Sequence, residues 1–267
     1  MTLFAGRARQ HLVRALQRDI RLLLPADPGR EQLLEYVHLF DPRARLASQG
    51  GINVDNMREV YLTRSSAIEP DVAAEAGVPE GMGVAFFVMN VQRGGVSTKK
   101  EQYEMSVNLV NGLAVRLGGV AWPEASGMHE PLDVRVYTSR EQVTAGAAYE
   151  MLARYAPGLA SYDNPTFGPV GVSTWRTADG QFEAQHWPRG TGSLLRPHSP
   201  RSIGDLFFHT DQSTAIRLQL SAPANEVDHG TARLLGECAL EVAAAAGGIC
   251  SDQLGFRVTR PDDLVFR

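Results

Sequence analysis

The sequence predicts an α+β protein built from two related β-α-β units, with antiparallel hairpins, helices packed on one face of the sheet, and an N-terminal helical segment. Three observations carry that expectation. From Glu59 onward, runs of apolar residues with period two alternate with runs of period 3.6. Gly118-Gly119 returns as Gly247-Gly248, 129 residues later. The same shift lays "VAFFVMNV" on "STAIRLQL" without a gap, so that Phe87, Met89 and Val91 fall on Ile216, Leu218 and Leu220 as the inward positions of a strand. Along the helix that follows, Met105, Leu109, Val110, Leu113, Ala114 and Leu117 fall on Leu234, Cys238, Ala239, Val242, Ala243 and Ala246.

Taken in order, residues 4–24 are expected as one amphipathic helix, with Leu12, Val13, Leu16, Ile20, Leu23 and Leu24 on its apolar face and "PADPGR" ending it. A short helix follows near Glu31–Phe40. "EVYLTRS" reads as a strand, "EPDVAAEAG" as a helix that Gly77 and Pro79 stop, and "VAFFVMNV" as a buried strand. After the next helix come "GGVAW", a loop, and the strand "LDVRVYT". Ser139 and Gln142 form a capping box for a helix whose inner face is Ala147, Ala148, Met151, Leu152 and Tyr155. Asp179-Gly180, between two alternating runs, marks a hairpin. These elements divide the chain into a helical segment at 1–50, a first unit at 51–160 and a second at 161–267, with one continuous domain as the alternative.

Composition narrows the function. The 267 residues carry a net charge of −4, but residues 1–24 hold five arginines against Asp19, so the remainder is clearly acidic. Neutralising phosphates takes a basic face, so nucleic acid is not an expected partner. Lys99 and Lys100 are the two lysines among 26 basic residues, an arginine bias that points to a GC-rich source. The N-terminus lacks the uninterrupted apolar core of a secretory signal, no segment approaches a membrane span, and Cys238 and Cys250 read as small buried hydrophobes, so a reducing cytoplasmic setting is expected. The basic helix at residues 1–24 could touch an anionic membrane surface, although packing on its own domain is the simpler expectation.

Two stretches invite a chemical reading. "VQRGGVSTKK" resembles the deviant Walker A loop of ParA-type ATPases, but Ser97 stands at the last loop glycine, Thr98 at the lysine, and Lys99-Lys100 at the hydroxyls. The matching loop of the second unit, "SAPANEVDHG", has neither a glycine pair nor a lysine. Nucleotide binding is therefore not expected. His209, Asp211 and His229 have the composition of a two-His, one-carboxylate metal triad, and a metal-dependent enzyme is the alternative reading they support. Capping of a helix by Asp228 competes with it, and no catalytic, cofactor or metal role is assigned to any residue. Trp175, Trp187 and His186 could make an exposed patch on the hairpin or cover a sheet edge.

Ile216, Leu218, Ala239, Ala243, Gly247, Gly248, Asp252, Thr259 and Leu264 follow a pattern of strand, alanine-bearing helix, Gly-Gly turn, strand and helix start. In that pattern residues 213–265 resemble the FtsZ-binding domain of the bacterial division protein ZipA. The resemblance implies a non-catalytic α/β sandwich that holds a partner's peptide on its sheet. A non-enzymatic interaction or scaffold protein with a protein partner is the function expected from the whole sequence.

Overall fold

Arg21, Leu22, Leu23 and Leu24 are buried one after another, on both sides of the chain, and this decides how the N-terminal part folds. The computed structural model describes every residue except 1, 19, 55–59, 91–98, 124–130, 139–142, 163–170, 189–213 and 266–267, and only the backbone of 2–6, 90 and 99–102. Helix α1 runs from Thr2 to Arg18, and Arg21–Leu24 is strand β1, not the continuation of a helix to residue 24. An unbroken apolar run fits a helix face or a central strand equally well. The strand prevails because β6 (Val84–Asn90) and β7 (Val120–Trp122) both pair with it, antiparallel, one on each side.

Residues 1–50 therefore do not stand apart: their strand is part of the first sheet. The chain divides into two compact units, Met1–Gly127 and Met128–Arg267, rather than near residues 50 and 160.

In unit 1 the sheet runs β2 (Arg45–Leu46), β3 (Ile52–Asn53), β4 (Val60–Leu62), β6, β1, β7, with β5 (Ser66–Ala67) on β6. On one face, Leu23 and Ala85 pack with Val13 and Leu16 of α1 and with Val72 and Ala76 of α3 (Pro70–Ala76). Alternation turns Leu22, Leu24 and Phe86 to the other side. There α4 (Lys99–Leu117) buries Leu109, Val110 and Leu113, and α2 (Arg30–Phe40) packs against α4. Because β1 lies between β6 and β7, α4 links two parallel strands across a third that opposes both. Gly118 ends α4 with φ 68°, and a Cβ on Gly119 would stand 2.2 Å from the Leu23 carbonyl oxygen, so no larger residue fits there.

Unit 2 has β8 (Pro131–Thr138) in the corresponding place, between β12 (Thr214–Pro223) and β13 (Ile249–Asp252), both antiparallel to it. Helix α6 (His229–Ala246) links β12 to β13 and ends on Gly247 at φ 60°. A Cβ on Gly248 would stand 2.2 Å from the Tyr137 carbonyl oxygen. The sheet runs β14 (Arg257–Val258), β13, β8, β12, β11 (Phe182–Trp187), β10 (Ser173–Arg176), β9 (Ala160–Ser161). Leu132, Val134, Val136, Ile216 and Leu218 lie buried on the side that meets α6, where Thr138 donates to the Ala246 carbonyl at 2.8 Å. Helix α5 is Ala145–Leu152 with Thr144 as its N-cap; Ser139 and Gln142, the expected capping box, lie outside the described residues. Of its expected inner face, Ala148 and Leu152 are buried.

Strand register differs from the expectation by one residue. Leu23 faces Val120 in unit 1 and Tyr137 faces Ile249 in unit 2, so Leu22 and Val136 hold matching places; they pair with Phe86 and Ile216 respectively. Phe86, not Phe87, thus stands where Ile216 does. Met89, expected inside, is 52% exposed, because a slip of one residue reverses every side chain of a strand. Leu234, matched to the buried Met105 by the repeat, is 46% exposed.

Candidate binding face of unit 2

The face of the second sheet that turns away from α6 is polar over β13, β8, β12, β11 and β10 except where Tyr137, Ala215 and Trp187 form a buried apolar cluster with Val172. Cross-strand pairing sets Ser251, Arg135, Arg217, Gln185 and Thr174 in one row over β13, β8, β12, β11 and β10, and Asp133, Gln219, Glu183 and Arg176 in the next. Strands with apolar residues on one side and polar residues on the other usually show the polar side to water. Here Asp133, Thr174, Gln185 and Ser251 are buried. Arg217, Gln219, Glu183 and Gln253 are partly exposed, and Arg176 and Arg257 form an exposed rim.

Two hydrogen-bond networks hold this face. In the first, Arg217 brings Nε and Nη2 each to 2.7 Å from Asp133 Oδ2, and Arg135 Nη2 lies 3.1 Å from the same oxygen. Burial works against the Arg135 charge, but Asp133 and the Tyr137 hydroxyl outweigh it, and its pKa lies above the ordinary arginine value. The two guanidiniums share one carboxylate oxygen. In the second, Trp187 Nε1 donates to Gln185 Oε1 at 3.1 Å, Gln185 Nε2 to Glu183 Oε1 at 2.7 Å, and Arg176 Nη2 to Glu183 Oε2 at 2.9 Å, with the Arg176 guanidinium 4.7 Å above the Tyr162 ring.

Four buried atoms of this face have no hydrogen-bond partner among the described residues: Asp133 Oδ1, Arg135 Nε, Ser251 Oγ and Gln253 Nε2. Their side chains are neighbours, since Ser251 pairs with Arg135 across β13 and β8, and Gln253 Oε1 accepts the Asp133 N–H at 3.0 Å. Each unmet buried group costs about 1–3 kcal/mol, so four together amount to much of a stability of about 5–15 kcal/mol. The other such side chains, among them Asp41, Asn111 and Trp122, are scattered over unit 1.

The face also departs from the charge of its surroundings. Residues 128–267 hold twelve basic and sixteen acidic side chains, whereas the face gathers Arg135, Arg176, Arg217 and Arg257 against Asp133 and Glu183. Sequence reasoning passed over it because Asp133 and Arg135, set between apolar residues in "LDVRVYT", look like ordinary outward positions. The available signal was that "AIRLQL" and "FEAQHW" repeat the same polar alternation in two further strands.

The residues singled out beforehand fare differently. His209 and Asp211 lie outside the described residues, and so does the loop 91–98. His229 opens α6 with Nε2 3.5 Å from Asp262 Oδ1 at the surface, and Asp228 caps the helix by accepting the Thr231 N–H. No group of three or more His, Cys, Asp or Glu that could hold a metal ion occurs among the described residues. Trp175, Trp187 and His186 make no exposed patch: all are buried, Trp187 facing opposite to the other two, and β11 is an interior strand. Burial pushes both thiols up to about 12, Glu241 and Cys250 adding to it at Cys238. Cys238 also lines a cavity of about 290 Å³ with Tyr155, Phe182, Leu220, Leu234 and Leu235.

No family model matches this chain, and neither a curated protein nor a solved structure matches it. The nine positions that carry the ZipA-like pattern all have structural work to do. Gly247 and Gly248 make the turn described above, and Asp252 Oδ1 accepts the N–H groups of Leu254 and Phe256 at 2.9 and 2.8 Å. Thr259 is held by Asp263, and Ile216, Leu218, Ala239, Ala243 and Leu264 are core. No helix among the described residues is long and apolar enough to cross a membrane.

Proposed function

We propose that this protein is a non-enzymatic cytoplasmic interaction protein that binds a partner protein or peptide on the polar sheet face of unit 2. The observation that carries this reading is a face with an arginine excess and four unmet buried polar atoms, in a unit whose overall charge is acidic. Networks of this kind are costly unless completed, so a face that supplies most but not all of the hydrogen bonds is arranged for a guest. The ZipA-like pattern implies a peptide held on the sheet, which agrees with this reading. We read the two units as copies of one ancestral β-α-β arrangement, on the matching strand orders and the matching glycine pairs. The cytoplasmic setting rests on two free, buried cysteines. Membrane contact through α1 does not enter the reading, because Val13 and Leu16 already pack inside unit 1.

Selection of peptides from a random display library against the full chain tests the proposal. Enriched peptides are expected to bind Arg217→Ala at least about tenfold more weakly, the worth of a hydrogen bond to a charged group. Arg233→Ala, on the exposed side of α6, should bind as the parent does. No enrichment over an unrelated protein, or equal binding to Arg217→Ala, would contradict it.

A further inference from the structure

We infer that Arg135, Ser251, Gln253 and Asp133 form a position for a carboxylate that carries a neighbouring N–H, the chemistry of a peptide's C-terminal residue or of an acidic side chain beside its own amide. This rests on the binding-face reading and names what the face recognises.

Charge is the first argument. Arg135 and Arg217 share a single Asp133 oxygen, and Glu183 is taken up by Arg176, so among the described residues the centre of the face holds one positive charge more than its carboxylates balance. A monoanion restores balance and a phosphate dianion overshoots it. Hydrogen-bond count is the second. Three unmet donors, Arg135 Nε, Ser251 Oγ and Gln253 Nε2, call for the lone pairs of two carboxylate oxygens. One unmet acceptor, Asp133 Oδ1, calls for an N–H close to that carboxylate. A simple anion leaves Asp133 Oδ1 unmet, and a neutral amide leaves the charge unbalanced. Nearness to the surface is the third: the four unmet atoms are themselves covered, but Arg217 is 25% exposed at its side chain, Gln253 is partly exposed, and Arg257, paired with Ser251, stands at the surface.

The test follows the Arg135 and Arg217 Nε–H signals of the 15N-labelled full chain, assigned with Arg135→Lys and Arg217→Lys. Titration with N-acetylalanine should shift the Arg135 signal saturably, and N-acetylalanine amide should not. N-acetylaspartate α-amide then separates the two sources of the chemistry: a shift at lower concentration than N-acetylalanine assigns a side-chain carboxylate, the reverse order a chain terminus. Equal response to the alanine amide or to inorganic phosphate, or no response to either carboxylate, overturns the inference. Ser251→Ala supplies a second check, because it deletes an unmet hydroxyl without opening a large cavity. Weakening of about tenfold with an unchanged or higher Tm supports the site; unchanged binding with a lower Tm shows Ser251 to be structural and contradicts it. The two proposals fail separately. Display-selected peptides that bind the face equally well after amidation and Asp/Glu→Asn/Gln replacement leave the binding face standing and remove the carboxylate. A response to N-acetylalanine without any peptide binding does the opposite.

Discussion

Replacing Gly248 with alanine should unseat the joint between α6 and the second sheet. The new Cβ would lie 2.2 Å from the Tyr137 carbonyl oxygen and 3.1 Å from its carbon, against ordinary contacts of about 3.4–4 Å. The obstacle is backbone, in a strand held from both sides by β12 and β13, so relief requires the strand to move by about 1 Å rather than a side chain to rotate. Overpacking of a well-filled site costs about 1–3 kcal/mol, and a rigid backbone obstacle places this case at about 3 kcal/mol. Gly119→Ala should cost as much in unit 1, where the Leu23 carbonyl stands at the same 2.2 Å. Gly146→Ala is the matched control: it lies in α5 with nothing within 4 Å, so alanine should stabilise by up to about 1 kcal/mol through helix propensity. Urea unfolding followed by circular dichroism, with m-values compared among the variants, reads all three. A Gly248→Ala protein within about 0.5 kcal/mol of the parent would refute the close approach, and with it the register of β13 on β8.

Three further outcomes are expected. Asp252→Ala strands the buried N–H groups of Leu254 and Phe256 and should cost about 2–4 kcal/mol in chemical denaturation, whereas a loss below about 1 kcal/mol would mean the turn is held otherwise. His186 is buried with Nε2 2.6 Å from the Val143 carbonyl, and burial holds its pKa below the ordinary 6.5. The unfolded chain then takes up the proton first, so this contribution is complete above pH 6.5 and is lost as the pH falls below it. Tm measured from pH 8 to 5 should fall less steeply for His186→Gln than for the parent; parallel curves would exclude a titrating His186. Cys238 and Cys250, each pushed up to about 12 by burial, should resist a thiol reagent at pH 8 until urea unfolds the chain, and prompt labelling of the native protein would contradict that burial.

What could be read from the sequence follows from where local chemistry is sufficient. Asp179-Gly180 does turn the β10–β11 hairpin, with Gly180 at φ 70° and Asp179 Oδ1 accepting the Gln181 N–H at 3.0 Å. Gly77 does end α3, and Asp228 does cap α6. The α+β class followed from alternating periods. The fate of "RLLL" did not, because whether that run is helix face or strand depends on partners at Phe86 and Ala121, far along the chain. Nor did strand register: one shift fitted the helix and the Gly-Gly turn, but the strand before them sits one residue away from it, and no local preference opposes that slip. The polar face was hidden for a related reason. Asp133 and Arg217 are 84 residues apart, and each alone looks like an outward position in a half-buried strand. Their meeting is a product of the β8–β12 pairing, which sequence spacing does not encode.

The central claim, binding on the polar face of unit 2, is tested most directly by mapping amide and arginine NMR shifts of the full chain as a display-selected peptide is added. The account predicts that the changes gather on Arg135, Arg217, Gln185 and Ser251. Changes gathered on Leu220, Leu234 and Phe182 around the cavity by α6, or spread without a focus on either face, would contradict it.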